Sequence, residues 1–336
     1  MELALEDPCG IMKLARRKFL HLATGAAVAA AVPRLARAQA YPARAVRIIV
    51  PFGSAGGTDI VGRLIGQWLS ARLAEPFVIE NRPGAGGNLG VEAVVRSRPD
   101  GYTLVLIGTP STINVTLYEN LSFNFARDIA PVASIVRFPN VMVVNPSVPA
   151  STVPEFIAYG KDNPGKLNMA SPGSGSTPHI FGELFMMMTG VRMVHVPYRS
   201  VAAAMTDMLS GQVQVAFGTS ASTIGYIRAG TLRALAVTSA TRSRALPELA
   251  AIAEFVPGYE ASAWFGLGAP RNTPAAVIER LNEEINACLA DPALNARLAD
   301  LGGVALAGSP AEFAELIAQE TAKWAKVVKF SGAKSQ

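Results

Sequence analysis

Cysteine is almost absent: the 336 residues contain two, Cys9 and Cys288, with only three histidines. Cys9 falls in a stretch that reads as an export leader, so Cys288 is left alone and no intramolecular disulfide can form. Beyond the leader stand one cysteine and two histidines, His179 and His195. That set nearly excludes a structural zinc site, and no metal or other cofactor is expected. After residue 40 no run approaches the roughly 18 consecutive apolar residues of a membrane span. No lysine and arginine cluster is interleaved with aromatics, so no nucleic-acid partner is expected. Catalytic signatures are missing as well. Gly218-Thr219-Ser220-Ala221-Ser222 lacks the last glycine of a G-x-S-x-G elbow. Gly165-Lys166 is followed by Leu167, where a phosphate-binding loop has a hydroxyl residue, and Gly84 to Gly90 is one residue too long for a dinucleotide loop. Asp59 and Glu80 could act as acids or bases, but each has an adequate role near a helix or strand end, and no residue is assigned to catalysis.

What the N-terminus does contain is an export signal. Arg16-Arg17-Lys18-Phe19-Leu20 matches the twin-arginine pattern, an apolar stretch runs from Phe19 to Val32, and Ala36-Arg37-Ala38 supplies a small-x-small cleavage site. Residues 1–38 therefore read as a twin-arginine signal peptide, with the mature chain starting at Gln39 and located in the periplasm. Residues 1–11 are acidic, unlike a signal's n-region, which points to Met12 as the true start of translation. Cleavage removes six basic and three acidic side chains, so the formal charge falls from +5 to +2.

The mature chain is organised around Val46 to Asp59. Val46 to Val50, with only Arg47 polar, reads as a buried strand that Pro51 ends. Gly53, Gly56 and Gly57 make a loop able to approach something closely, and Thr58 is positioned to cap the next helix with Asp59 in its first turn. Ile60, Val61, Leu64, Ile65, Trp68, Leu69 and Leu73 then recur on one helical side. Strand, glycine-rich loop and helix alternate again through Phe77 to Ile79 and Thr103 to Ile107, the sign of a parallel α/β sheet. Residues 118–150 break the rhythm. Val132 to Ile135 and Val141 to Val144 look strand-like and read as a crossover. The same grammar then resumes at Leu167 to Ala170, Met193 to Val196 and Val213 to Phe217, with a second crossover near Ser262 to Gly268. The last helix opens at a capping box, Ser309-Pro310-Ala311-Glu312. The expected architecture is two α/β lobes, each a mainly parallel sheet flanked by helices, joined by two crossovers: residues 39–140 with 263–336, and 141–262.

Ligands of such sheets sit beyond the carboxyl ends of the strands. Here those ends carry Gly, Ser and Thr, which offer N–H groups and hydroxyls to a carboxylate without a buried counter-charge. The candidates are Phe52, Ser54, Ala55, Gly56, Gly57, Thr58 and Asp59 after the first strand, and Thr109 and Ser111 after the third. From the other lobe come Ser174, Ser176, Thr177, His179, Tyr198, Ser200 and Thr219. Capping accounts equally for one of the Ser174–Thr177 hydroxyls, and packing for Tyr198 or His179.

The motifs VRIIVPFGSAGGTD, IENRPGAGGNLG, NPGKLNMASPGSGSTPH, HVPYRS, LSGQVQVAF and SAWFGLGAP stand in this order, and with them residues 41–330 resemble the solute receptors of tripartite tricarboxylate transporters, also called Bug receptors. The resemblance implies a two-lobed periplasmic binding protein fold of type II that closes on a small organic acid. It also implies that the Phe52 to Asp59 loop holds a carboxylate, answered by Ser174 to His179 and by Tyr198 to Ser200. The sequence departs from the family at Ser200-Val201-Ala202, where glycines are usual after VPYR, and at Gly218, where Asp is common. The expected function is a monomeric, non-catalytic receptor for a di- or tricarboxylate or an aromatic acid, delivered to membrane permease subunits. The alternative is a periplasmic enzyme acting on a carboxylate.

Overall fold

Short β-branched strands, each followed by a helix that covers it, set out the sheet. The computed structural model describes residues 41–54 and 57–334; the leader, Ala55 and Gly56 lie outside the described residues. Tyr41–Pro42 carries a cis peptide bond, and the chain from Arg44 on forms one unit. In that unit β1 (Val46–Val50), β2 (Phe77–Asn81) and β3 (Thr103–Gly108) run parallel in the order β2-β1-β3. The helix Gly57–Leu73 returns from β1 to β2. It lies so close to the sheet that a Cβ at Gly66 would stand 3.0 Å from Ile79 Cδ1 and 3.3 Å from the Phe77 carbonyl.

β4 (Ile129–Val144) is the spine of the molecule. Beyond it come β5 (Leu167–Ser171), β6 (Met193–Pro197), β7 (Val215–Thr219), β8 (Arg233–Val237), β9 (Ser262–Pro270) and the two-residue β10 (Val304–Ala305). The path through the sheet is β2-β1-β3-β9-β4-β7-β5-β6, with β8 and β10 also paired to β4. β5 is parallel to both β6 and β7, while β4 and β9 run antiparallel to their neighbours. Each half is therefore parallel at its outer edge and antiparallel at the centre, a more mixed sheet than the sequence pattern predicts. The reason is that the crossovers are themselves central strands.

β4 also differs from its sequence reading, which gives two separate strand-like runs, Val132 to Ile135 and Val141 to Val144. The strand is continuous because neither of its prolines interrupts a regular ladder. Pro131 sits at a register shift against β9, and Pro139 is the last residue paired to β9 before Asn140 takes up pairing with Thr219 of β7. At this point the return segment runs alongside. Thr238 N–H donates to Asn140 O (2.9 Å), Asn140 N–H donates to Thr238 Oγ1 (2.8 Å), and Ala261 N–H donates to Thr238 O (2.9 Å). The two connections between the halves are thus stitched side by side.

The apolar core gathers in clusters, and the one under the second half also takes in Ile113 and Leu117 of the helix Thr109–Leu117. One cluster holds Ile49, Val105, Trp264 and Phe313; another holds Val144, Phe156, Phe181, Phe185 and Trp324. The last helix, Pro310–Ser331, begins with the predicted capping box, Ser309 Oγ accepting from Glu312 N–H at 3.2 Å and Glu312 Oε2 accepting from Ser309 N–H at 2.7 Å. It contributes Phe313 to the first cluster and Trp324 to the second, so it bridges both halves. Full burial of each such ring is worth about 2–3 kcal/mol.

Candidate functional site

The loops at the carboxyl ends of β1, β3, β5 and β7 all lead into helices, so helix N-termini lie at those ends. The first of these helices starts at Gly57, which puts Thr58 inside its first turn and not at the cap. Gly57 and Ser54 are exposed, Phe52 is half-buried, and Thr58 and Asp59 are buried. Ala55 and Gly56 lie outside the described residues. Asp59 is a brace: its Oδ2 accepts from Arg63 Nε at 2.9 Å and its Oδ1 from Asn81 Nδ2, also at 2.9 Å. Asn81 in turn donates to Phe52 O at 3.1 Å, so one carboxylate fixes the whole corner. Thr109 is wholly buried. Its hydroxyl lies 3.3 Å from Ser262 O and accepts from Trp264 N–H at 3.0 Å, which ties the helix Thr109–Leu117 to β9 and leaves the half-buried Ser111 nearer solvent.

In the other half the loop Ser171–Ser176 is held from below by two histidines. His179 is 4% exposed; Nδ1 accepts from Gly175 N–H at 3.0 Å, and Nε2 meets Glu183 Oε1 at 3.1 Å. Both nitrogens are engaged, so His179 positions the loop and does not present itself to a ligand. Its ring stacks on His195, with centroids 3.6 Å apart and planes 15° from parallel. His195 Nε2 lies 2.6 Å from Ser171 Oγ. Burial, with the His179 ring beside it, pushes the His195 imidazole down to about 4, so it is neutral at pH 7. Gly175 must be glycine: its φ is +75°, and a Cβ there would lie 2.2 Å from Leu117 Cδ2 of the helix Thr109–Leu117.

The remaining candidates split between exposed and occupied. Ser174 and Thr177 are half-buried, Thr177 as the first residue of the helix Thr177–Thr189, and Ser176 Oγ donates to Gly173 O at 2.7 Å. Tyr198 donates its hydroxyl to Asp207 Oδ2 at 2.8 Å, and burial together with that carboxylate pushes its phenol up to about 12. Ser200 and Thr219 are exposed and cap the helices Val201–Leu209 and Ser220–Arg228.

Two aromatic residues that the sequence pattern does not single out join the two loop sets. Phe265 of β9 reaches within 4.0 Å of a Cβ placed at Gly57 and packs on Phe138 of β4 with ring centroids 5.8 Å apart. Two residues beyond Phe138, Asn140 pairs with Thr219, and Ser220 Oγ donates to Pro139 O at 3.3 Å. Both rings are only half-buried, so they present an apolar surface between the Gly57 corner and the Thr219 cap. The single sequence cue was the Trp264-Phe265 pair inside a glycine-rich strand. A wider cavity of about 530 Å³ lies elsewhere, between Thr116–Asn120 and the end of the last helix, and contains none of the candidate residues. Among the described residues no group of His, Cys, Asp and Glu could hold a metal ion. Ser171 is 1% exposed, and its hydroxyl is engaged with His195.

Comparison with known proteins gives one consistent result. A family described as "Tripartite tricarboxylate transporter family receptor" matches residues 61–332. "Protein BugT" of Bordetella pertussis is 35% identical over 300 residues, which is 88% of this chain and 92% of that one. Among solved structures, one described as R. palustris Rpa4515 with adipate is 36% identical with a TM-score of 0.76, covering 88% of this chain and 99% of that chain. Another, MatC from Rhodopseudomonas palustris with bound malate, is 30% identical with a TM-score of 0.73, covering 86% of this chain and 100% of that chain. The chain, a mixed α/β protein, belongs to the tripartite tricarboxylate transporter family of receptors.

Proposed function

We propose that this chain is a periplasmic receptor that captures a small carboxylate-bearing metabolite between its two halves and passes it to the permease subunits of a tripartite transporter. Residues 39–140 with 263–336 act as one lobe and 141–262 as the other, and the leader is removed after Ala38 following twin-arginine export. The receptor works as a monomer. The observation that carries the reading is the convergence at one strand: β4 passes from the Gly57 side to the Thr219 side, with Phe265 and Phe138 between them.

The first lobe offers the exposed start of the helix Gly57–Leu73, where the helix dipole favours an anion by about 0.3–1 kcal/mol. Candidate contacts are Phe52, Ser54, Ala55, Gly56, Gly57 and Thr58 from this corner, with Ser111 beside it. Ser174, Ser176, Thr177, Ser200 and Thr219 answer from the second lobe. Asp59, Thr109, His179 and Tyr198 act through these residues, each already bound to protein partners. Closure rotates the lobes about the Asn140–Thr238–Ala261 stitch. Adipate and malate, bound by the relatives, set the chemical range to try first.

Calorimetry with the purified mature chain and a panel of mono-, di- and tricarboxylates tests this. Binding of at least one acid is expected, abolished by Gly57→Val, which sets a branched apolar side chain at the exposed helix start beside Phe265. A panel without a single binder, or a Gly57→Val protein that binds as the parent does, refutes it.

A further inference from the structure

Behind the second-lobe loops lies a small, partly enclosed cavity of about 40 Å³, the space of about three water molecules. Its walls are Ala170, Pro172, Pro178, Ala204, Met205 and Ala216. Three hydroxyl residues also border it, and each hydroxyl is already used. Ser171 Oγ donates to Gly173 O at 2.9 Å, Ser222 Oγ donates to Thr219 O at 2.9 Å, and Thr219 Oγ1 donates to Ser222 Oγ, again at 2.9 Å. The acid nearest in sequence, Asp207, accepts from Tyr198. Gly218 cannot be replaced by an acid without strain, since a Cβ there would stand 2.5 Å from Thr223 Cγ2. Val201, 42% exposed at the start of its helix, adds an apolar residue to the rim.

A charged or hydroxylated group entering this space would lose its water and gain no partner, which is strongly unfavourable. A methyl or methylene entering it loses nothing and fills the void. Resting on the receptor reading above, we propose that the cavity is an apolar subsite, and that the ligand is a monocarboxylate whose far end is a short aliphatic tail. The carboxylate is held at the Gly57 corner, and the tail is seated among Ala170, Ala204 and Met205. The side chain of Arg199, exposed on the loop before Val201, lies outside the cavity lining and is the group to which a second carboxylate would have to turn.

The clean comparison is hexanoate against adipate, equal in carbon number and different only in a terminal methyl or carboxylate. Calorimetry should give hexanoate at least tenfold tighter, with each methylene between butyrate and hexanoate tightening binding about fourfold. Ala204→Val, which fills the cavity, should remove most of that advantage. Val201→Ser, at an exposed position with little bearing on folding, should weaken hexanoate severalfold and leave adipate unchanged. Adipate binding more tightly than hexanoate, with the gain lost in Arg199→Gln, would overturn the subsite and leave the receptor reading standing. Equal slopes across the series in parent and Val201→Ser would also overturn it. Failure of every acid to bind would instead refute the receptor reading itself.

Discussion

Lowering the pH should loosen the second-lobe loop through His195. In the folded chain this imidazole is pushed from 6.5 to about 4 by burial and by the stacked His179 ring, whereas in the unfolded chain it titrates normally. Between those two values the unfolded chain takes up a proton that the folded chain refuses. Stability is therefore complete above about pH 6.5 and is lost progressively as the pH falls to about 4. The full difference converts to about 3 kcal/mol, and partial exposure of the ring reduces this to about 1–2 kcal/mol. The groups facing the ring are His179 and, behind it, Glu183, with the Ser171 hydroxyl on Nε2. Urea denaturation of the parent and of His195→Gln at intervals from pH 7.5 to about 4 isolates the effect, since other carboxylates titrate alike in both. The parent should lose about 1–2 kcal/mol more than the variant over that window. Superimposable pH profiles would refute the reasoning, as would a parent that gains stability on acidification.

Two other perturbations follow from buried polar partners. Glu320 Oε2 accepts from the indole N–H of both Trp264 (3.2 Å) and Trp324 (2.8 Å), so Glu320→Ala strands two buried donors and should cost about 2–4 kcal/mol in urea denaturation. A loss under 1 kcal/mol would show that the two indoles find other partners. Asp59→Ala releases Arg63 and Asn81 together and should weaken carboxylate binding at least tenfold with only about 1–3 kcal/mol lost in stability. Unchanged affinity measured by calorimetry would show that the corner holds its shape without the brace.

Much of this molecule was legible because the local signals were strong. The five-residue run at Val46 and the Ser309–Glu312 box each depend on neighbours a few residues away, and each forms as its residues dictate. β4 was not legible as one strand, because proline reads locally as a break. Only the change of partner from β9 to β7 at Pro139 and Asn140 removes the ladder bond that a proline would spoil. The same limit governs the site. Asp59, Thr109, His179 and Tyr198 are of types that bind ligands, but what each touches depends on residues distant in sequence: Asn81, Trp264, His195 and the Asp207 helix face. The histidine stack joins residues on a helix and on β6, a pairing no spacing rule encodes. Phe138 and Phe265 come from different strands and acquire their joint position only when β9 lies against β4.

The long C-terminal helix has a mechanical consequence. Phe313 packs in one cluster and Trp324 in the other, so on the receptor reading the helix would act as a tie rod against a wide gape of the jaws. Motion that keeps both anchors seated is a twist or a slide of a few ångströms along the rod, so opening should change the radius seen by small-angle scattering very little while still uncovering the bite. Cutting the rod between its anchors should free a larger swing, one still limited by the paired strands and by Leu117 packed against the Gly175 loop.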